Sequence, residues 1–578
     1  MELSDQSTIH MNTPHSVMNN TINHISSSST SKRARSLEDA AFRERIATLA
    51  VKSASFDAAE RGDPPKCHPD TRIAVLDSLV AWCSNREAGA VRLISGRAGT
   101  GKTTIAQTMA EYWAGQGQLA GSFFFSRSSK ERSSDGQVFT TILHQFLQLF
   151  GADVDLGLLG MEILRRDVVL GLLVSTSRTL PQPVVIVIDG LDEISITAQQ
   201  ISLLRDILSS LDRLGSSVKV LISCQPERHL EDVFDEFAAQ LGPSYRIELG
   251  QSAEDNDDIR TFFRVLFDHI CRYRRQYGAM SITDSPWPSQ KEIEALVDRA
   301  NGQFVFAATV LQFVDDENED PVEMLNLVLE HQTSSVEAID QLYIVILHWV
   351  GRTLDKSEKS LERRQMMQNL ILHINHQPSS PADIAEFWFE KTLTINILAK
   401  HLRALLIRST DPDNQTSEFQ FRHQLFHDFF VRPSASHDSH PFSLAEMNPV
   451  SKFFFSLRMR ARDAAHRPPT VLPYEKEARR LHQAYIKARP TFRGCTCLPQ
   501  LESAISDVSA LRGFKPCRQR HCVAKSDLLR LCKMIAIPDS SQSLEEQERL
   551  RTTSSPILRF FSWFRAALSL KRRREDTR

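Results

Sequence analysis

At 578 residues the chain exceeds what one hydrophobic core holds, and its length suggests roughly three to five domains. Hydrophobic residues make up 41% and charged residues 24%, a globular balance that argues against a fibrous or wholly disordered chain. A formal net charge of −2 offers no global field for nucleic acid, so no nucleic-acid partner is expected.

Met1 to Met18 is polar and the nine cysteines are scattered, which together lead us to expect a cytoplasmic protein with reduced thiols. No run of about 18 apolar residues, the length that spans a bilayer, occurs in the sequence. Residues 1–36 are rich in Ser and Asn and cannot bury enough apolar surface to fold. Their closing cluster, Lys32-Arg33-Ala34-Arg35, reads as part of a solvated arm in preference to a nuclear address.

Residues 37–85 form an expected pair of helices with a linker. Leu37 to Ala58 is helix-like, and Gly62, Pro64, Pro65 and Pro69 then break the pattern. Thr71 to Ser84 is helical again, with Ile73, Leu76, Leu79, Val80 and Trp82 spaced for one buried side.

Val91 to Ser95 is a short apolar strand, and Ile105 to Trp113 an apolar-faced helix. Between them lies Gly96-Arg97-Ala98-Gly99-Thr100-Gly101-Lys102-Thr103-Thr104, which carries the phosphate-loop spacing G-x-x-x-x-G-K-T. Gly96, Gly99 and Gly101 let the backbone bend and bring N–H groups to phosphate oxygens. The helix start adds orphan donors and partial positive charge. Lys102 can reach the outer phosphates and the Thr103 hydroxyl can ligate Mg²⁺. Gly96, Gly99, Thr100, Gly101, Lys102, Thr103 and Thr104 are thus the expected nucleotide-binding set.

Four more strands are expected, at Ser122–Phe125, Val184–Ile188, Val218–Ile222 and Tyr245–Leu249, with helices near 136–149, 160–178 and 198–213. This alternation predicts an α/β domain over 86–250: a parallel sheet with helices on both faces. The third strand runs into Asp189-Gly190-Leu191-Asp192-Glu193. A carboxylate at the carboxyl end of a parallel sheet sits beside the phosphate loop. Asp189 is placed to hold Mg²⁺ through water, and Asp192 or Glu193 to orient an attacking water.

The phosphate loop, the Asp189–Glu193 stretch and Val218-Lys219-Val220-Leu221-Ile222-Ser223-Cys224-Gln225-Pro226-Glu227 together resemble a NACHT domain. NACHT proteins are signal-transducing P-loop NTPases of the STAND class, and the likeness is to the fungal, NLR-like members. Pro65 to Arg72 and Gly121 to Arg127 support it, and it covers about residues 60–435. The family ends its fourth strand with an Arg that approaches the terminal phosphate. Gln225 stands at that position, bringing a neutral amide without charge, which weakens hydrolysis more than binding. Arg228 is a candidate substitute.

Beyond Gly250 the pattern is helical. Residues 251–330 are expected to form a small helical domain, with a helix or two over Ala253–Tyr273, a capped helix at Lys291–Ala300 and an apolar one at Phe304–Val314. Ser335–Val350 and Glu362–His376 are further helices. Leu402–Ile407 and Glu418–Phe421 frame a small β-wing inside 331–435. Phe419-Gln420-Phe421-Arg422-His423-Gln424-Leu425-Phe426-His427-Asp428-Phe429-Phe430 resembles the family's winged-helix motif. That resemblance implies that His423 bonds the β-phosphate of ADP and holds a closed state.

Residues 436–578 show no internal repeat and no family likeness. Cys495, Cys497, Cys517, Cys522 and His521 match no common zinc spacing and read as free groups. Residues 556–574 are apolar and aromatic with a narrow polar stripe and a basic end. They suit a docked terminal helix, or weak contact with a membrane surface.

These expectations add up to a nucleotide-binding switch that takes ATP or ADP with Mg²⁺. Slow hydrolysis would depend on Lys102, Asp192 and Glu193, and opening would permit self-association and contact with an unknown protein partner. The resemblance extends this to non-self recognition or cell death. The alternative is a scaffold that binds nucleotide without hydrolysing it.

Overall fold

A computed structural model describes residues 40–431 apart from 63, 128, 130, 151–165, 179, 215–216, 277–286, 331–336, 357–359, 377–378, 389 and 411–416, together with Phe442 and Phe455. The chain divides into two units, Met1–Ala445 and Glu446–Arg578. The 1–36 arm, the Cys495–Cys522 group and segment 556–574 lie outside the described residues.

Five strands form the central sheet: β1 (Val91–Gly96), β2 (Leu119–Phe124), β3 (Val184–Asp189), β4 (Val218–Cys224) and β5 (Arg246–Leu249). Their order is β2-β3-β4-β1-β5, and every neighbouring pair is parallel. Parallel strands need long crossovers, and those crossovers supply helices for both faces. In β3, Val184, Ile186 and Ile188 pack on one face and Val185 and Val187 on the other. That two-sided burial explains an unbroken Val/Ile run. Removing one such side chain, as in Ile186→Ala, costs about 2–5 kcal/mol.

One face is covered by α1 (40–49), α4 (Val138–Phe150), α5 (Arg166–Ser177), α6 (Thr197–Leu208) and α8 (Arg228–Glu236). The other is covered by α2 (Ile73–Ser84) and α3 (Lys102–Gly115). The short helices α7 (Leu211–Leu214) and α9 (Ala238–Leu241) complete the crossovers. This is an α/β P-loop fold, and helical domains follow it. Because β4 lies between β1 and β3, its carboxyl end inserts between the phosphate loop and Asp189.

Three local expectations need correction. The helix expected over Leu37–Ala58 stops at residue 49, and a short 3₁₀ turn follows at Lys52–Ala54. Val51 turns into the core there, and its N–H donates to the Thr141 hydroxyl, an alternative to the helical bond. Ile73 does not join the buried side of α2; it is exposed, while Leu79, Trp82 and Cys83 fill the core. The first strand of the later hairpin begins at Leu406 instead of Leu402, because residues 402–405 are still turning out of a helix.

After β5 come α10 (Ala253–Gln276), α11 (Gln290–Ala300), α12 (Phe304–Val314), α13 (Pro321–Glu330), α14 (Ala338–Asp355), α15 (Ser360–His376), α16 (Pro381–Trp388) and α17 (Thr392–His401). Ser289 and Glu292 form a reciprocal capping box at α11, and Asn301 ends that helix with φ 44°. An antiparallel hairpin, β6 (Leu406–Thr410) and β7 (Ser417–Phe421), leads into α18 (Gln424–Val431). Phe426 and Phe429 of α18 pack edge-on against Tyr343 of α14, with ring centroids 4.9 and 5.5 Å away. Those rings fasten α18 and so position the residue just before it, His423.

Candidate functional site

The phosphate loop joins β1 to α3. Gly99 and Gly101 have φ of +81° and +97°, a region that L side chains rarely adopt. Gly99 also lacks room, since a Cβ there would lie 2.3 Å from Val305 Cγ1. Helix α3 starts at Lys102 with Gly101 as its cap and no side-chain cap. The donors of its first turn are therefore free of side-chain competition, the arrangement that suits an anion. Lys102 Nζ donates to the Gly96 and Arg97 carbonyls at 2.7 and 3.0 Å. Burial lowers its pKa, while the Asp192 and Asp189 carboxylates oppose the shift.

Thr100 differs from the rest of the expected set. Its N–H and hydroxyl both donate to the Arg97 carbonyl, and its own carbonyl accepts from Arg72. In this conformation it braces the loop from within. The Thr104 carbonyl accepts from Thr108 inside α3.

Asp189 ends β3 as a buried carboxylate. The Thr103 and Ser223 hydroxyls both bond to it. Burial raises its pKa against the pull of those two hydroxyls, Arg61 and Lys102. A hydroxyl and a carboxylate meeting beside a helix start are the oxygen donors Mg²⁺ uses when phosphates and waters complete its octahedron. Among the described residues no group of three or more His, Cys, Asp or Glu could hold a metal unaided.

Asp192 and Glu193, expected to share one role, are in different situations. Both Asp192 oxygens are engaged by Gln225, from its N–H at 3.0 Å and its side-chain amide at 2.8 Å. The Asp192 carbonyl accepts from Arg127 and Gln200. Glu193 accepts a longer bond, 3.2 Å, from the Arg127 N–H. Burial, then the nearby Asp192 and Asp189, push its carboxyl up to about 7. A carboxyl at that value is poised for proton transfer at neutral pH. Gln225 faces Asp192, and Arg228 is exposed at the first position of α8.

His423 lies within the electrostatic field of Lys102. Its Nδ1 accepts from the Leu425 N–H at 3.1 Å, which leaves the proton on Nε2. Burial and the charge of Lys102 push it down to about 4, so it is a neutral donor. The Val305 N–H donates to the Gly99 carbonyl at 3.0 Å. The loop is therefore touched by the start of α12 and faced by the residue that precedes α18.

Two arginines in this site carry no functional signal in the sequence. Arg72, buried at the start of α2, bonds the Thr100 carbonyl at 2.9 Å, pairs with Asp255 of α10 and lies 4.7 Å from the Phe304 ring centre. Burial alone would raise Asp255, but Arg72 and the Ser252 bonds hold it below the usual range. The φ of +60° at Arg72 carries no sequence signal, and its partner lies 183 positions away. Arg127, just beyond β2, binds the acid loop as described.

Residues 73–225 match the family model described as Nephrocystin 3, N-terminal. No curated protein matches the chain. Among solved structures, a STAND protein with a tetratricopeptide repeat sensor from Pyrococcus horikoshii is similar over 82% of this chain at 14% identity and a TM-score of 0.35. The chain covers 53% of that protein, about half its length. The ORC2 protein of Aeropyrum pernix, solved with ADPNP and ADP, is similar over 63% of this chain and 92% of its own, at 14% identity and a TM-score of 0.30. Cdc6p of Pyrobaculum aerophilum is similar over 64% and 94%, at 15% identity and a TM-score of 0.30.

Proposed function

We propose that the chain is a nucleotide-operated signalling switch of the NACHT/STAND type. The observation that carries this reading is the convergence on one phosphate loop of Lys102, Val305 of α12 and, through the field of Lys102, His423. A phosphate tail would take the Lys102 ammonium from the Gly96 and Arg97 carbonyls. The Nε2–H of His423 would bond a β-phosphate oxygen and so tie the helical region, including a winged-helix-like hairpin and α18, to bound ADP. A ligand shifts an equilibrium only by its differential affinity for two states, and ATP would weaken that tie. Opening would then expose surface for self-association.

Thr103 and Asp189 would hold Mg²⁺, which supplies charge neutralisation for the phosphates. Glu193 would accept the proton of an attacking water. Gln225 offers amide bonds without charge, so turnover is slow. The same clasp of Gln225 on Asp192 favours the second reading, a scaffold that binds nucleotide and does not hydrolyse it.

Labelled ATP with Mg²⁺ separates the two. A hydrolysing switch releases phosphate, and Lys102→Ala and Glu193→Gln each cut release about a hundredfold or more. Binding without release over hours would establish the scaffold, and absence of binding would refute both.

A further inference from the structure

Gln225 brings no charge to the acid end of the site, and an arginine stands beside it. Arg127 Nη2 donates to the Asp192 carbonyl at 2.7 Å and lies 3.7 Å from Asp192 Oδ2. That oxygen is the one the Gln225 amide holds at 2.8 Å. The Arg127 backbone also holds Glu193. Lys102 lies in the field of the same Asp192 carboxylate. The two cations thus flank one acid loop, Lys102 from the phosphate-loop side and Arg127 from the β2 side. Arg127 remains partly exposed, at 38%, so its guanidinium can turn.

Two other arginines lie near, one of them committed elsewhere and the other a rival. Arg61 is fixed by the Ser55 and Phe56 carbonyls and Gln107, and stacks 3.7 Å over Phe124. Arg132 lies in the field of Glu193.

We infer that Arg127 binds the terminal phosphate of a nucleoside triphosphate, filling the place of the cation absent at position 225. The inference rests on the phosphate-loop reading above. A guanidinium offers a planar fork of donors suited to phosphate oxygens. Arg127 also lies in the field of Asp428 on α18, so drawing it towards a terminal phosphate weakens its attraction for that helix. A triphosphate would then do what a diphosphate cannot.

The test is the affinity of the full chain for ATPγS and for ADP, each with Mg²⁺. Arg127→Ala should weaken ATPγS roughly tenfold or more and change ADP less than about twofold. Retained ADP binding shows that the variant folds. Adding Gln225→Arg to Arg127→Ala returns a guanidinium to the same Asp192 oxygen and should recover much of the ATPγS affinity. Arg132→Ala should leave the ratio of the two affinities unchanged. An unchanged ratio in Arg127→Ala, an equal loss of both ligands, or a shift confined to Arg132→Ala overturns the inference. If wild-type protein binds neither nucleotide, the phosphate-loop reading falls and the inference with it.

Discussion

Glu193 shows how much of this site is decided by single side chains. Its carboxyl sits near 7, against an ordinary value of about 4.3, because burial and two neighbouring carboxylates disfavour its charge. The folded state therefore binds a proton more tightly than the unfolded chain. The stability this proton contributes is present at low pH and lost as pH rises from about 4.3 through 7. Glu193→Gln should raise stability to denaturant at pH 8 by on the order of 1–3 kcal/mol and change little at pH 4. Hydrolysis by the wild type should rise about tenfold from pH 6 to pH 8 as the base form fills. A flat denaturation difference across that range would contradict the shift. The meeting of Lys102, Thr103 and Asp189 was legible in the sequence because each belongs to a short local pattern. The division between Asp192 and Glu193 was not, since it depends on Gln225, more than thirty positions away and just beyond another strand.

At the scale of elements, the strands declared themselves because two-sided burial leaves an unbroken apolar run, as in Val184–Asp189. Helices α13 and α16 did not, because each begins with proline, at Pro321 and Pro381. Proline reads as a breaker, yet suits the first position of a helix. The junction between β5 and α10 was also invisible. There a Cβ on Gly250 would lie 2.8 Å from Thr100 Cγ2, and one on Gly302 would lie 2.5 Å from Gly250 Cα. The turn before α12 therefore meets the linker backbone to backbone, the Thr100 side chain of the phosphate loop packs on the same linker, and the buried Arg72–Asp255 pair ties loop to linker. Breaking such a pair strands a buried charge, at a cost of about 3–5 kcal/mol. Arg72→Ala should lower stability by that amount in denaturant unfolding, and Asp255→Asn by less, because the amide still accepts a bond. Equal, sub-kcal effects would show that the junction is held by packing alone.

For the whole molecule, the parallel sheet alone is a fold shared by many functions. What distinguishes this chain is that His423 lies in the electrostatic field of Lys102, 321 positions earlier, a pairing the sequence suggested only through likeness to a family motif. A closed form should then retain diphosphate during purification. The direct test is to denature the purified wild type and the His423→Ala variant and to quantify the released nucleotide by mass spectrometry. The expected result is close to one ADP per wild-type chain and a large loss in the variant, with a shift towards oligomer. Wild-type protein free of nucleotide, or a variant that keeps as much ADP as wild type, would contradict it.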